Sequence, residues 1–243
     1  MRFAGRPNTV STKRSAIDLV TDIDRSSEQT IHRILRRAFP DFGFLGEERG
    51  ERYQPRPYRW IVDPIDGTNN FVHGVPLFGV SIGLEHRGTM VIGVIYDPMR
   101  RELFVGIKGH GAFLNGKRIH ASKTRTLAHS LVSTGFSSNF LKNPRPYWQW
   151  FREFQRRSHG VRRIGTTVLS LAWVAAGRLE GFYERDLWPW DMAAGIVLVQ
   201  EAGGMVTNFQ GKPPILIDGR LIASNRHIHR EMLRLIRSAG TTR

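Results

Sequence analysis

Two carboxylates three residues apart, Asp63 and Asp66, stand inside the string Trp60-Ile-Val-Asp-Pro-Ile-Asp-Gly-Thr-Asn-Asn-Phe-Val-His-Gly74. Carboxylate oxygens suit hard cations such as Mg²⁺, and exposed backbone amides suit phosphate. Trp60, Ile61 and Val62 are apolar and β-prone, so they read as a buried strand that runs into Asp63. Pro64 lacks the N–H that would continue the ladder, and Gly67 permits a tight turn into a short helix. Metal and phosphate would meet at that strand end, although in a shorter string the same two acids would read equally well as turn caps. Two other acidic features are bland in isolation. Gly46-Glu47-Glu48 resembles a solvated loop, and Asp191, at the head of an apolar helix, resembles an N-cap. Because Mg²⁺ prefers oxygen, His73 reads as a structural or rim residue, whereas Lys13 could reach an anionic site from its loop.

These residues need a framework. The chain has 243 residues, of which 40% are hydrophobic, enough to bury a substantial core as one domain or two tightly packed halves. Residues 1–125 read as an α+β half and residues 126–243 as an α/β half. No apolar run is long enough to cross a bilayer and no signal-peptide core is present, so the expectation is a cytoplasmic protein without a membrane. The absence of Cys excludes disulfides and thiolate metal sites. Lys and Arg number 36 against 21 Asp and Glu, a net charge of +15 that would attract phosphorylated metabolites, RNA or acidic proteins alike.

Residues 1–14 read as an irregular arm. A helix starts near Asp24, capped by Asp24 or a following Ser, with Ile31, Ile34, Leu35 and Ala38 on one face. Residues 49–58 are polar and Pro-rich, a surface loop. Phe78–Glu85 and Met90–Tyr96 form a hairpin around Arg87-Gly88, and Glu102–Gly106 adds a strand. Between Lys142 and Arg163, arginines alternate with Tyr147, Trp148, Trp150, Phe151 and Phe154. Such a mixture can bind single-stranded nucleic acid, but an amphipathic helix with a solvated basic face is the favoured reading. Thr166 and Thr167 open an apolar helix that Gly177 closes, Leu179–Glu184 is a strand, and Met192–Glu201 is a helix. Met205–Thr207 and Leu221–Ser224 are the last strands, before a basic helix capped by Asn225.

The long string around Asp63, with Lys13 and Asp18-Leu-Val-Thr-Asp-Ile-Asp24 upstream, Gly46-Glu47-Glu48, Gly165-Thr166, Trp190-Asp-Met-Ala-Ala-Gly195 and Glu201-Ala-Gly-Gly204, resembles the inositol monophosphatase family, Mg²⁺-dependent and Li⁺-sensitive phosphatases. The likeness spans most of the chain, with Asn69 where many members carry Thr. It implies a layered α/β/α/β/α sandwich of the inositol monophosphatase and fructose-1,6-bisphosphatase type, working as a homodimer. It also implies two or three Mg²⁺ ions held by Glu47, Asp63, the Ile65 carbonyl, Asp66 and Asp191. Phosphate would sit on the Gly67 and Thr68 amides, with the attacking water oriented by Thr68 and Glu47. Asp66, Gly165, Thr166, Thr167, Glu184 and Asp191 would contact the substrate. The implied reaction is hydrolysis of a polyol or sugar phosphate monoester, first of all myo-inositol 1-phosphate. Fructose 1,6-bisphosphate, adenosine 3′,5′-bisphosphate and histidinol phosphate are alternatives, as is a polyanion-binding or RNA-binding role that could coexist with catalysis. Family members also carry an amphipathic helix upstream of this motif set, for which the sequence has no room. The expectation is either a truncated or misassigned start or an exposed groove covered by another chain.

Overall fold

The computed structural model describes residues 10–12, 19–51 and 56–240, so Lys13 and part of the 49–58 loop lie outside the described residues. Part of the stretch read as an irregular arm is a strand: β1 (Val10–Thr12) pairs antiparallel with β2 (Leu19–Thr21). Three-residue β-branched segments carry too little periodicity to be recognised without their partner. Helix α1 (Asp22–Ala38) begins two residues earlier than expected. Thr21 is its cap, accepting from the Ile23 and Asp24 amides, while Asp24 accepts the Thr21 N–H in return, a capping box in which Asp24 is the third helical residue.

The first sheet has eight strands: β3 (Gly43–Gly46), β4 (Gly50–Glu51), β5 (Tyr58–Asp66), β6 (Gly79–His86), β7 (Thr89–Asp97), β8 (Glu102–Ile107), β9 (Gly111–Leu114) and β10 (Lys117–Ile119). Their order is β10-β9-β8-β7-β6-β5-β3-β4, antiparallel throughout except for the parallel pair β3–β5. The β6–β7 hairpin turns at Arg87 and Gly88, both with positive φ (48° and 78°), as a tight two-residue hairpin requires. Contrary to the sequence expectation, Pro64 does not end β5. The strand continues to Asp66, and its register against β6 slips between Asp63 and Asp66, so Pro64 sits where no ladder donor is needed. Helix α2 (Thr68–Val72) follows at once.

Alternation along β5 assigns its two faces. Trp60 and Val62 join Leu84 beneath Ile31 and Leu35 of α1, whereas Ile61 joins Leu45, Trp190 and Ala193 on the other side. Among the described residues the outer cover is incomplete. Ile34 remains 60% exposed and Phe39 41%, beside an open groove lined by Leu35, Phe39, Phe42 and Trp60.

The second sheet comprises β11 (Leu131–Thr134), β12 (Gly160–Arg162), β13 (Gly181–Glu184), β14 (Met205–Thr207) and β15 (Leu221–Ser224), ordered β12-β11-β13-β15-β14. Helices α4 (Thr167–Ala175) and α5 (Pro189–Glu201) lie between the two sheets, and both are apolar nearly all round, as that position demands. Helices α3 (Arg145–Arg157) and α6 (His229–Gly240) cover the outer face of the second sheet. The result is the expected α/β/α/β/α layering. In α3, Tyr147, Trp150 and Phe154 are buried while Arg152, Arg156 and Arg157 surround Glu153 at the surface, so the amphipathic reading holds; only Trp148 departs from it, at 54% exposure.

Helix α5 is seated by glycines. Gly83, Gly93 and Gly106 are register neighbours on β6, β7 and β8. A Cβ on Gly83 would press Ala193, one on Gly93 would overlap the Ala194 carbonyl, and one on Gly106 would meet the Leu198 backbone at 3.0 Å. The three form a trough in which the α5 backbone lies directly on the sheet.

Near the α6 end of the core, His229 is almost fully buried, its Nε2 2.8 Å from Thr207 Oγ1 and its Nδ1 2.8 Å from Ser224 Oγ. Burial pushes its pKa down from 6.5 to about 4. The unfolded chain therefore binds a proton here before the folded one does, and stability falls as pH drops through the interval from 6.5 to about 4. His229→Gln is expected to remove roughly 3 kcal/mol of that pH dependence, read as the difference between the variant and parent urea-unfolding curves across the interval. Parallel curves would refute the assignment.

Candidate metal and phosphate site

The parallel pairing of β3 with β5 sets the first contact. Gly46 lies opposite Val62, and the Glu47 N–H donates to the Val62 carbonyl at 3.3 Å, so the residue following β3 stands beside Asp63. The register slip in β5 then turns Asp66 to the same end of the strand. Asp191 arrives from the other half of the chain, in the first turn of α5, where its Oδ2 accepts the Trp188 N–H at 2.7 Å. It is the third helical residue rather than the cap itself. Ligand atoms of Asp63, Asp66 and Asp191 lie within 4.8 Å of one another, and Glu47, Ile65, Gly67, Thr68, Asn69 and Gly165 complete the wall of one cleft of ≈ 180 Å³. Residues remote in sequence are thus brought together.

Each carboxylate is aimed by donors. Asp63 Oδ1 accepts the Ile65 N–H at 3.1 Å. Asp66 Oδ2 accepts the Thr166 hydroxyl at 2.5 Å and the Val168 N–H at 2.7 Å. Gly67, in the left-handed region at φ 93°, makes the turn into α2; a Cβ there would crowd the Leu77 and Gly165 carbonyls. Burial first, and then the charges of Glu47, Asp66 and Asp191, push the Asp63 carboxyl well above the ordinary range. Burial followed by Asp66 does the same to Asp191, and burial raises Asp66 against the donors that lower it. Like charges packed this closely oppose one another unless protons or cations intervene.

Thr167 and Glu184 stand behind the cleft. Thr167 Oγ1 donates to Glu184 Oε2 at 3.1 Å, and the Glu184 carboxyl fills the space where Gly135 lacks a side chain. Burial raises the Glu184 pKa to about 8. His73 is exposed and is absent from the cleft wall.

Two participants escaped the sequence reading. Asp24, which the sequence offers as a helix cap, is fully buried, with its Oδ1 accepting the Thr68 hydroxyl at 3.2 Å and its Oδ2 accepting the Thr21 hydroxyl at 2.5 Å. Nothing local to the Asp18–Asp24 string reveals a partner 44 positions away. Asn70 reads in the sequence only as part of the motif. Its Nδ2 donates to the Leu77 carbonyl at 2.7 Å and the Ile164 carbonyl at 2.9 Å, tying the turn after Asp66 to the Gly165 turn.

Known proteins share this sequence pattern and fold. The sequence profile described as "Inositol monophosphatase family" matches residues 2–241. "Nus factor SuhB" of Pseudomonas aeruginosa is 42% identical over 229 residues, covering 92% of this chain and 84% of the relative. "Inositol-1-monophosphatase" of Synechocystis sp. is 42% identical over 229 residues, covering 94% of this chain and 80% of the relative. The solved structure "Thermotoga maritima IMPase TM1415" superposes with a TM-score of 0.89 at 36% identity, covering 98% of this chain and 90% of that one. The chain therefore belongs to the inositol monophosphatase family.

Proposed function

We propose that this protein hydrolyses a polyol or sugar phosphate monoester, with myo-inositol 1-phosphate as the leading substrate, using Mg²⁺ as cofactor. The observation that carries the reading is the convergence of Asp63 and Asp66 with Asp191, from the opposite half of the chain, on one cleft that Glu47 also lines. The donor set fits a hard cation: the wall offers carboxylates and a backbone carbonyl, with neither His nor Cys, and the carboxylates carry charge that a cation would offset. Glu47, Asp63, the Ile65 carbonyl, Asp66 and Asp191 would hold the ions. When bound, Mg²⁺ supplies Lewis acidity, which lowers the pKa of water and neutralises charge on the phosphoryl and leaving oxygens.

The remaining groups bind and orient. The Gly67 and Thr68 amides are the phosphate donors. Thr68 Oγ1 spends its proton on the Asp24 carboxylate or on the Ile65 carbonyl 3.1 Å away, which leaves its lone pairs to accept from an attacking water together with Glu47. Glu184, protonated at neutral pH by its raised pKa, can donate to a substrate hydroxyl beside the Gly165–Thr167 turn. The family resemblance further suggests Li⁺ inhibition, a homodimer and a cytoplasmic location. No helix among the described residues is long and apolar enough to cross a membrane.

The purified chain with Mg²⁺ should release inorganic phosphate from inositol 1-phosphate or from another member of a panel that includes fructose 1,6-bisphosphate, adenosine 3′,5′-bisphosphate and histidinol phosphate. Release from none of them refutes the reading.

A second role, polyanion binding, is favoured by the net charge of +15 and by the half-exposed Trp148, which sits edge-on to Phe136 and Phe140 while Arg163 lies over the Phe136 ring. Single-stranded RNA should then bind with an affinity that falls at least ~10-fold between 50 and 200 mM salt and is unchanged by Asp63→Asn, as filter binding would read. Binding that vanishes above the lowest salt reduces this role to unspecific attraction.

A further inference from the structure

The fully buried residues of α1 are both acids, Asp24 and Glu28, which lie one turn apart and therefore on the same side of the helix. Asp24 reaches Thr68. The proposed reaction gives Glu28 no task, yet its surroundings are specific. Glu28 Oε2 accepts the Glu48 N–H at 2.8 Å, and Oε1 lies 3.7 Å from Arg49 Nε. Gly46 makes the approach possible, because a Cβ at that position would overlap the Glu28 carboxylate and the Phe44 ring. Glu28 thus contacts Gly46, Glu48 and Arg49, the residues that bracket Glu47. Burying a carboxylate costs several kcal/mol unless donors surround it, so an apolar side chain would fill the same space at lower cost. What the carboxylate adds is direction.

We propose that Glu28 is a positioning residue for divalent-metal binding: it fixes the 46–49 loop so that Glu47 faces Asp63. The inference rests on the metal-dependent reading above. Since Asp24 and Glu28 ride on the same helix, α1 acts as a rigid spacer that sets Glu47 on one side of the cleft and Thr68 on the other. Residues that orient metal ligands from behind typically contribute about 10–100-fold to metal affinity.

The test is Glu28→Gln in the full chain. The amide oxygen can still accept the Glu48 N–H, while the charge that faces Arg49 is lost. Mn²⁺ binding is measured by isothermal titration calorimetry without substrate, with circular dichroism as the check on folding. Glu28→Gln should weaken Mn²⁺ binding ~10-fold and raise the Mg²⁺ concentration for half-maximal phosphate release by a similar factor. The KM for substrate at saturating Mg²⁺ should stay within about twofold, a split that a purely structural residue would not produce. Gly46→Ala, which displaces the carboxylate without altering any charge, should reproduce the loss, and it decides the matter should Glu28→Gln not fold. A folded variant with the parent Mn²⁺ isotherm overturns the inference. A parent protein that binds Mn²⁺ but hydrolyses no ester sinks the phosphatase reading and leaves the role of Glu28 standing.

Discussion

Asp63→Asn is expected to cut phosphate release by ~10³-fold or more while making the protein more stable, not less, in the absence of divalent ions. Asp63 is buried at 1% exposure, and its carboxyl is raised by that burial and by the charges of Glu47, Asp66 and Asp191. The folded state therefore takes up a proton at this residue more readily than the unfolded chain, so its contribution to stability declines as pH rises out of the carboxylate range. Asn carries no charge, removes that slope, and relieves its three neighbours. Cations should reverse the ranking. At an ion concentration 100 times the dissociation constant, binding stabilises the parent by ~2.7 kcal/mol, a rise in melting temperature of roughly 5–11 °C for a chain of this size. The variant should gain little. Thermal melts in EDTA and in Mg²⁺, paired with phosphate release, read both halves of the expectation. Parent-level turnover by Asp63→Asn, or equal gains from Mg²⁺, would refute it.

The second large effect concerns stability, at a position far from any carboxylate. Gly93→Ala should lower the melting temperature by roughly 6–12 °C, because a Cβ there overlaps the Ala194 carbonyl and neighbouring main-chain atoms of α5, none of which can swing aside as a side chain would. Overpacking of this kind costs about 3 kcal/mol, converted here at the few degrees per kcal/mol typical of this length. Gly43→Ala is the control: its Cβ would find nothing closer than 3.5 Å, so its melting temperature should stay near that of the parent. Because α5 also delivers Asp191, the Gly93 variant should lose activity below its melting point as well. Equal melting temperatures for the two variants would refute the trough.

Much of the site was legible in the sequence because its signals are local. Trp60–Val62 announces a buried strand, Asp63, Asp66 and Gly67 announce a carboxylate turn with amides behind it, and Thr166 and Gly177 bracket α4. Glu47 and Asp191 were different. Alone they read as a loop acid and a helix cap, and only resemblance to a family marked them; their approach depends on the β3–β5 register and on how α5 docks, neither of which is written in any short window. The same limit hid the partnership of Asp24 with Thr68 and the staple made by Asn70. Pro64 misled in the opposite sense. Its missing donor looked like the end of a strand, whereas a register slip lets β5 pass through it. The glycines at 83, 93 and 106 gave no signal because they become a row only once three strands are aligned.

That row bears on how such a protein can diverge. Where main chain rests on main chain, the height of α5 above the sheet does not depend on which side chains fill the space around it. Exchanges among the aliphatic residues nearby can accumulate without carrying Asp191 away from Asp63 and Asp66. Drift in the surrounding packing and constancy of the charged centre are thereby compatible within one chain.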